Sequence, residues 1–354
     1  MMGLGRLAHT LGHAKPWQVV GRPVAPFRRW KAVQSIPSTP EDLAPRWMPR
    51  SAFPVHDPWN KRSEILNGRF CFLSEAASLG RPVDWTTASM PLLWQFNLHY
   101  FHYLDLLEPR EKVALCREWI RGNPVGKGVG WHPYPTALRI VNWCRAELKA
   151  SDILESLYQQ AAYLSRNLET HVYGNHLLEN ARALVLAGCY LQGQGEADAW
   201  LERGLDIYRG QTPEQILSDG FHFERSPMYH ALMLEGYLDV LNVLPDGHPD
   251  SEWLGRTAKE MADALMGTVH PDGQLALFND STFEIAPSPD QLLDYARRVL
   301  EHEPQPRRQY PEAGYYVFED ERVWIMMDAG PGGPDYLMAH THADIFSYEL
   351  SLFG

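Results

Sequence analysis

Three polar clusters interrupt otherwise apolar stretches of this chain, and their side chains suit proton transfer beside an anion. The first is Tyr173-Gly174-Asn175-His176-Leu177-Leu178-Glu179-Asn180, which opens an apolar helical pattern. Helical spacing puts Asn175, Glu179 and, more loosely, Arg182 on one face, with His176 and Asn180 on the next. Asn175 could bind a carboxylate or simply cap the helix. The second runs from Asp219 to His230 and contains His222, Glu224, Arg225, Ser226-Pro227, Tyr229 and His230. Ser226 and Pro227 read as the cap and first residue of a helix, so Tyr229 falls in its first turn. A helix N-terminus favours anions, and there a tyrosine phenolate is favoured as a base that returns its proton as an acid. A tyrosine that only packs and bonds through its hydroxyl is the plainer reading. The third is His340-Thr341-His342-Ala343-Asp344, leading into an apolar run, Ile345 to Phe353. In an extended strand both imidazoles share one face, as acid–base pairs and metal sites require. Two ligands do not make a zinc site, and Asp344 could orient an imidazole or add a third ligand.

Weaker signals surround these. In Trp131 to Trp143, Pro135 suits a helix start, and Arg139 could meet a substrate carboxylate or pair internally with a Glu. Gln95 to Tyr103 is polar and aromatic, either a groove wall or hydrogen-bonded core. Phe278-Asn279-Asp280-Ser281 could line a cleft, although its composition also suits an ordinary loop. The sequence has no glycine-rich phosphate loop, GxSxG elbow or HExxH pair.

These clusters need a scaffold. Residues 1 to about 35 are basic and partly amphipathic, and residues 36 to 62 carry six prolines, which predicts an extended, wrapping segment. Arg69 to Ser74 could form one strand. From Pro91 the apolar spacing turns helical, with Trp94, Leu98, Phe101, Leu104 and Leu107 in register. Further helices are predicted at 110–121, 134–149, 152–167, 174–191, 195–209, 227–244, 251–268 and 288–302. Short loops between such helices imply antiparallel hairpins, and the lack of a strict repeat favours a toroid over a regular solenoid. After Pro306, Tyr315–Phe318 and Val323–Met327 read as a β-hairpin, Gly330–Pro334 as a loop, and Ile345–Phe353 as a further strand. The reading is an α+β, mainly α, chain: an N-terminal wrapping segment (1–62), a helical domain (63–305) and the start of a β domain (306–354). A cleft is expected between the last two.

Composition narrows the partners. The 354 residues can bury a large core, and the net charge of −12 argues against nucleic acid. Twelve Trp and sixteen Tyr supply flat faces that could fill a core or stack on sugar rings. The four cysteines form no CxxC, and a disulfide framework is not expected. No stretch has the length and apolarity of a membrane span. The first residues do not form a good signal peptide, which makes the cytoplasm the default location; a leader upstream would mean the periplasm or the exterior. Oligomeric state is not legible.

Taken in order, NHLLEN, the Asp219–His230 segment, FNDS and HTHAD resemble the heparinase II/III-type polysaccharide lyases, which are related to some alginate lyases. WHPYPTALRIVNW and FNLHYFHYLDLL look like helical-domain segments of bacterial members found with capsule or exopolysaccharide synthesis. The resemblance covers roughly residues 65–354. It implies an incomplete (α/α) toroid followed by an antiparallel β-sandwich, and β-elimination at a uronic acid of an acidic polysaccharide. By motif, Asn175 would bind the carboxylate with His176 beside it, Tyr229 would be the acid/base, and His340 the second acid/base. Arg139, Glu179, Arg225, His230 and Asn279 would contact or support substrate. No cofactor is required for the chemistry, but His342 resembles a ligand of a structural zinc in some members, whose partner ligands would lie beyond Gly354. Such members continue well past the equivalent of Gly354, so the resemblance implies a fragment with an open sheet edge. Two other readings are a glycoside hydrolase, using carboxylates among Asp219, Glu224 and Asp280, and a glycan-binding accessory protein of exopolysaccharide synthesis.

Overall fold

The computed structural model describes residues 12–55 and 59–353. Its helices are α1 (Pro16–Gln34), α2 (Arg62–Leu66), α3 (Leu92–Tyr100), α4 (Pro109–Gly122), α5 (Pro133–Arg145), α6 (Ser151–Arg166), α7 (Gly174–Tyr190), α8 (Ala197–Gln215), α9 (Pro227–Val243), α10 (Ser251–Gly267) and α11 (Pro289–Leu300). A hairpin of β1 (Arg69–Phe72) and β2 (Glu75–Ser78) lies between α2 and α3. The strands β3 (Gln309–Tyr310), β4 (Tyr315–Glu319), β5 (Val323–Asp328) and β6 (Tyr348–Leu352) follow α11. Proline opens α1, α4, α5, α9 and α11, where its missing N–H goes unused and its fixed φ suits the first turn.

The helices pack in two alternating layers. α3, α5, α7, α9 and α11 touch in succession and form the inner row, while α4, α6, α8 and α10 lie behind them. Their sequences fit these places. α7 and α9 are buried on nearly every side, whereas α4, α6 and α10 each bury one stripe and expose the other. This alternation of inner and outer helices is an incomplete (α/α) toroid. Its core holds Trp85, Trp94, Trp119, Trp131, Trp143 and Trp200, and Trp324 is buried under the sheet, so most of the twelve tryptophans' flat faces are spent on packing.

β3–β6 form one antiparallel sheet in chain order. Tyr315 and Val317 point inward and, with Trp324 and Met326, join Phe221, Ala264, Ala276 and Phe278 in a second, smaller core. Tyr316 pairs with Met327, which pairs with Tyr348; all three lie on the exposed face. Among the described residues, no helix is long and apolar enough to cross a membrane.

Several expectations are corrected. The segment 1–62 is not wholly extended, because α1 occupies nineteen residues of it, although 36–55 are free of helix and strand. The run after Phe72 returns as β2 through Leu73 and Ser74, both at positive φ. The largest correction concerns 340–347, which are turns and loop; the strand begins only at Tyr348. Phe346 has a φ of 66°, which breaks any extended run there. Residues 1–11, 56–58 and Gly354 lie outside the described residues, and so does the expected open end at Gly354.

Candidate active site

The first turn of α7 is built around a carboxylate. Gly174 has a φ of 57°, and a Cβ on it would come within 2.2 Å of a Glu224 carboxylate oxygen. Glycine therefore permits both the backbone turn and the close approach of Glu224. The Glu224 carboxylate accepts hydrogen bonds from the Asn175 backbone N–H at 3.1 Å and from its side-chain amide at 2.9 Å. This fixes which end of the amide is the nitrogen. The same Nδ2 lies 3.4 Å from Nε2 of His340. Asn175 is thus a buried amide with one N–H held by Glu224 and the other facing His340.

At the start of α9, the buried Ser226 accepts from the Tyr229 N–H at 3.3 Å and shares a 2.7 Å hydrogen bond with Ser281. This cap sets the direction of Tyr229, whose ring centroid lies 4.1 Å from that of His340. The loop carrying His340 is held by residues 279 and 280. Asp280 Oδ2 is 2.8 Å from His340 Nδ1, and the Asp280 N–H donates to the His340 carbonyl at 3.1 Å. The Asn279 N–H donates to Asp344 at 2.7 Å, while Asn279 Oδ1 accepts from the His342 N–H at 3.2 Å.

Asn175, His176, Glu179, Arg182, Tyr229 and Asp280 line a cavity of about 290 Å³ with aromatic walls that include Trp59, Phe96, Tyr100 and Tyr134. Tyr134 packs against His176 with ring centroids 4.3 Å apart and planes tilted by 42°. The floor is a buried charge network. Arg182 pairs with Glu179 at 3.2 Å and with Glu235 at 3.4 Å, and its Nε donates to Asp239 at 2.9 Å; Arg145 joins Glu235 at 2.6 Å and Asp239 at 2.7 Å. A larger cleft of about 780 Å³ lies by His270, Phe283 and Glu349, but Asn175, Tyr229 and His340 do not line it.

Electrostatics distinguish the candidates. Burial, then the charges of Asp280 and Glu224, push the Tyr229 phenol well above its usual value, so it is neutral in the resting protein. This corrects the expectation that a helix N-terminus would favour its phenolate; desolvation and two carboxylates outweigh the helix dipole. His176 moves the other way from most buried histidines. Burial pulls its pKa down, but Glu169, 3.3 Å from Nδ1, and then Glu224 and Glu179 leave it raised. Glu179 is raised by burial despite Arg182.

The structure brings Asn175, His176, Tyr229, His340 and Glu179 together and leaves the rest apart. Arg139 is fully buried; its guanidinium lies over Trp119 at 3.9 Å, and donates to Gln160 at 2.7 Å and the Gly130 carbonyl at 2.7 Å. It cannot reach a ligand, and desolvation lowers its pKa to about 9. His230 is also fully buried, stacked on Phe221 and bonded to the His222 N–H and the Met261 carbonyl, with its pKa lowered by burial to about 4. Arg225 bonds the Glu312 carbonyl in the turn before β4, while its own carbonyl accepts from Asn279 and Tyr315. Asn279 is therefore a buried tie between loops, and its neighbour Asp280 takes the cavity wall. Glu224 stood in the sequence only as a hydrolase candidate; its hold on Asn175 joins segments 49 residues apart and left no local signal.

His342 does not assemble a zinc site from the described residues. Its side chain is 56% exposed, and its nearest acidic partner is Asp280 at 3.8 Å. Among the described residues there is no group of three or more His, Cys, Asp or Glu placed to hold a metal ion, short of the four donors of a structural zinc.

An inner row of helices carrying Asn175 and Tyr229, closed by a sheet-domain loop carrying His340, defines an (α/α)-toroid protein with its site at the junction with an antiparallel sheet. The chain belongs to the heparinase II/III family: residues 145–305 match the family described as Heparinase II/III N-terminus, and residues 302–354 that described as Heparinase II/III-like, C-terminal. It is 27% identical over 303 residues to a heparin-sulfate lyase of Pedobacter heparinus, covering 74% of this chain and 45% of that protein. A heparin-sulfate lyase of Bacteroides thetaiotaomicron is 26% identical over 118 residues, 30% of this chain and 17% of its own. The chain thus spans less than half the length of these curated relatives. Among solved structures, heparinase III superposes with a TM-score of 0.62 at 18% identity, covering 78% of this chain and 52% of its own. The mutant heparan sulfate lyase HepC from Pedobacter heparinus gives a TM-score of 0.58 at 18% identity, covering 99% and 62%. At that identity the likeness establishes the fold.

Proposed function

We propose that this chain carries the active site of a polysaccharide lyase that cleaves a uronate-containing polysaccharide by β-elimination. The observation that supports this most directly is the meeting of Asn175 and Tyr229, from two inner helices, on one cavity, with His340 of a sheet-domain loop packed against both behind the wall. Elimination needs the uronate carboxylate relieved of charge, the C5 proton removed and the C4 oxygen protonated. Asn175 has one N–H held by Glu224, and its second, which faces His340 Nε2 in the resting protein, would turn to the substrate carboxylate, where it stabilises charge that grows as C5 is deprotonated. His176, its pKa raised, adds positive character beside it. Tyr229, kept neutral, is ready to protonate the leaving oxygen. His340, with Nε2 facing Asn175, is placed to take the C5 proton.

The three carboxylates of the hydrolase alternative are otherwise engaged. Asp219 accepts from the Glu312 and Ala313 N–H groups, Glu224 clamps Asn175, and Asp280 holds His340. The relatives' names point to a glycosaminoglycan. Among the described residues the cavity wall contains a single guanidinium, Arg182, already paired with Glu179, Glu235 and Asp239, which suits a carboxylate-bearing polymer better than a densely sulfated one.

Digestion of uronate polysaccharides of low and high sulfation, followed by ultraviolet absorbance of the C4–C5 double bond, tests the reading. Absorbance should rise, most on the low-sulfate substrates, and Tyr229→Phe should abolish the rise. New reducing ends without absorbance would establish hydrolysis instead.

A further inference from the structure

We propose that Asp280 is a positioning residue that locks His340 in the tautomer with hydrogen on Nδ1, leaving Nε2 as a free acceptor toward Asn175. Three observations carry this. A carboxylate accepts hydrogen bonds, so the 2.8 Å separation between Asp280 Oδ2 and His340 Nδ1 places the hydrogen on Nδ1. On the opposite side of the ring, Nε2 is 3.4 Å from the Asn175 amide nitrogen, which is the donor end because Glu224 accepts from the same NH2. Both neighbours therefore demand the same tautomer. The third is mechanical: the Asp280 backbone N–H also holds the His340 carbonyl at 3.1 Å, so main chain and side chain of one residue grip the histidine at two points. Asn279 grips 342 and 344 in the same way, and the segment 279–280 acts as a jig for the irregular loop 340–344.

The lock matters because loop 340–344 has no ladder of its own to aim a side chain. In the other tautomer Nε2 would carry hydrogen and point it at the Asn175 N–H, donor against donor, and could not accept a proton. The other groups facing the ring are Tyr229 in ring contact and Glu224, whose carboxylate is 3.8 Å from Nε2. Once Nε2 has taken a proton, that carboxylate lies on the side where the new positive charge appears. The arrangement resembles the acid–histidine pair of serine hydrolases, where the acid fixes tautomer and orientation without titrating. The role assigned to Asp280 rests on the proposed function for its kinetic consequence but not for the tautomer.

The test reads the tautomer first. In protein labelled with ¹⁵N-histidine, with His340→Ala to assign the signal, His340 should show a pyrrole-like Nδ1 and a pyridine-like Nε2 in its neutral form. Asp280→Ala should release this preference and populate Nε2–H. Asp280→Glu, with a carboxylate but a longer arm, should retain it in part. Asp280 is 48% exposed at its side chain, so the substitutions leave no buried void. A pyrrole-like Nε2 in the unaltered protein, or an unchanged tautomer in Asp280→Ala, would overturn the proposal whatever the activity. Where elimination is measured, Asp280→Ala should lower kcat on the order of 10²-fold with KM little changed; equal loss through KM alone would contradict a role exerted on His340. If the tautomer behaves as stated but no eliminated product forms from any uronate polymer, the function is wrong and the lock stands.

Discussion

At the scale of single residues, the site is a set of side chains whose properties come from their neighbours. Asn175 is ordinary in type, yet Glu224 decides which of its atoms faces His340. Asn175→Ala should therefore reduce the kcat of the proposed elimination on the order of 10²–10³-fold, the scale of losing one donor to a developing oxyanion, with a smaller effect on KM. Arg139 makes the opposite case. A helix-borne arginine near aromatic residues reads in sequence as either a carboxylate ligand or an internally paired group, and it is sealed in the core beside Trp119 and Gln160. Arg139→Ala should cost a few kcal/mol in urea unfolding, because it leaves Gln160 and the Gly130 carbonyl unpaired. KM should be unaffected in whatever folds; a selective rise in KM would restore the substrate-binding role. The sequence displayed Asn175, Tyr229 and His340 because each sits in a polar cluster. It placed Asn279 where Asp280 belongs, since burial and direction within a loop are not written in residue type.

At the scale of elements, proline openings and apolar spacing made α4 to α11 legible to within a few residues, apart from α8, which runs six residues further than predicted, to Gln215. The Ser226 cap was equally visible, because serine followed by proline is a local signal of a helix start. Ser226→Ala should lower stability by about 1 kcal/mol and loosen Tyr229, so activity should fall further than the stability loss explains. Gly174 carries a second prediction. At a φ of 57°, with Glu224 where a Cβ would go, Gly174→Ala should destabilise by more than about 1 kcal/mol and separate Glu224 from Asn175. A Gly174→Ala protein with unchanged melting and activity would refute the account of that turn. Strands were less legible. β2 is short and alanine-rich, and 340–347 reads as extended from its alternating histidines and the apolar run that starts at Ile345, although its hydrogen bonds go to the 279–280 loop and to Asp328.

At the scale of the whole molecule, packing turns sequence-distant histidines into a pH sensor of stability. His99 and His230 are buried and neutral, with pKa values lowered by desolvation to about 3 and about 4, and His222 is lowered likewise. The unfolded chain protonates these groups near 6.5 and the folded one does not. Their contribution is therefore whole above 6.5 and is lost as pH falls toward their folded values. Urea midpoints should drop steadily from pH 6.5 to 4, by a few kcal/mol if one such group dominates; a flat profile would show that the pockets open to water. His176 has the opposite sign: its raised folded pKa gives a contribution that is whole below the unfolded value and lost as pH rises through the folded one, so it opposes the trend only at the upper edge of this window. The sequence by itself determined the helical hairpins, the change to strands after Pro306 and the residue types from which an eliminase site could be made. Those features depend on periodicity, capping and composition within short windows. Only the tertiary structure decided which polar residues meet. Glu224 on Asn175, Asp280 on His340 and Arg139 in the core are outcomes of how an inner row of helices and one sheet loop close together, and burial and direction are properties of that closure.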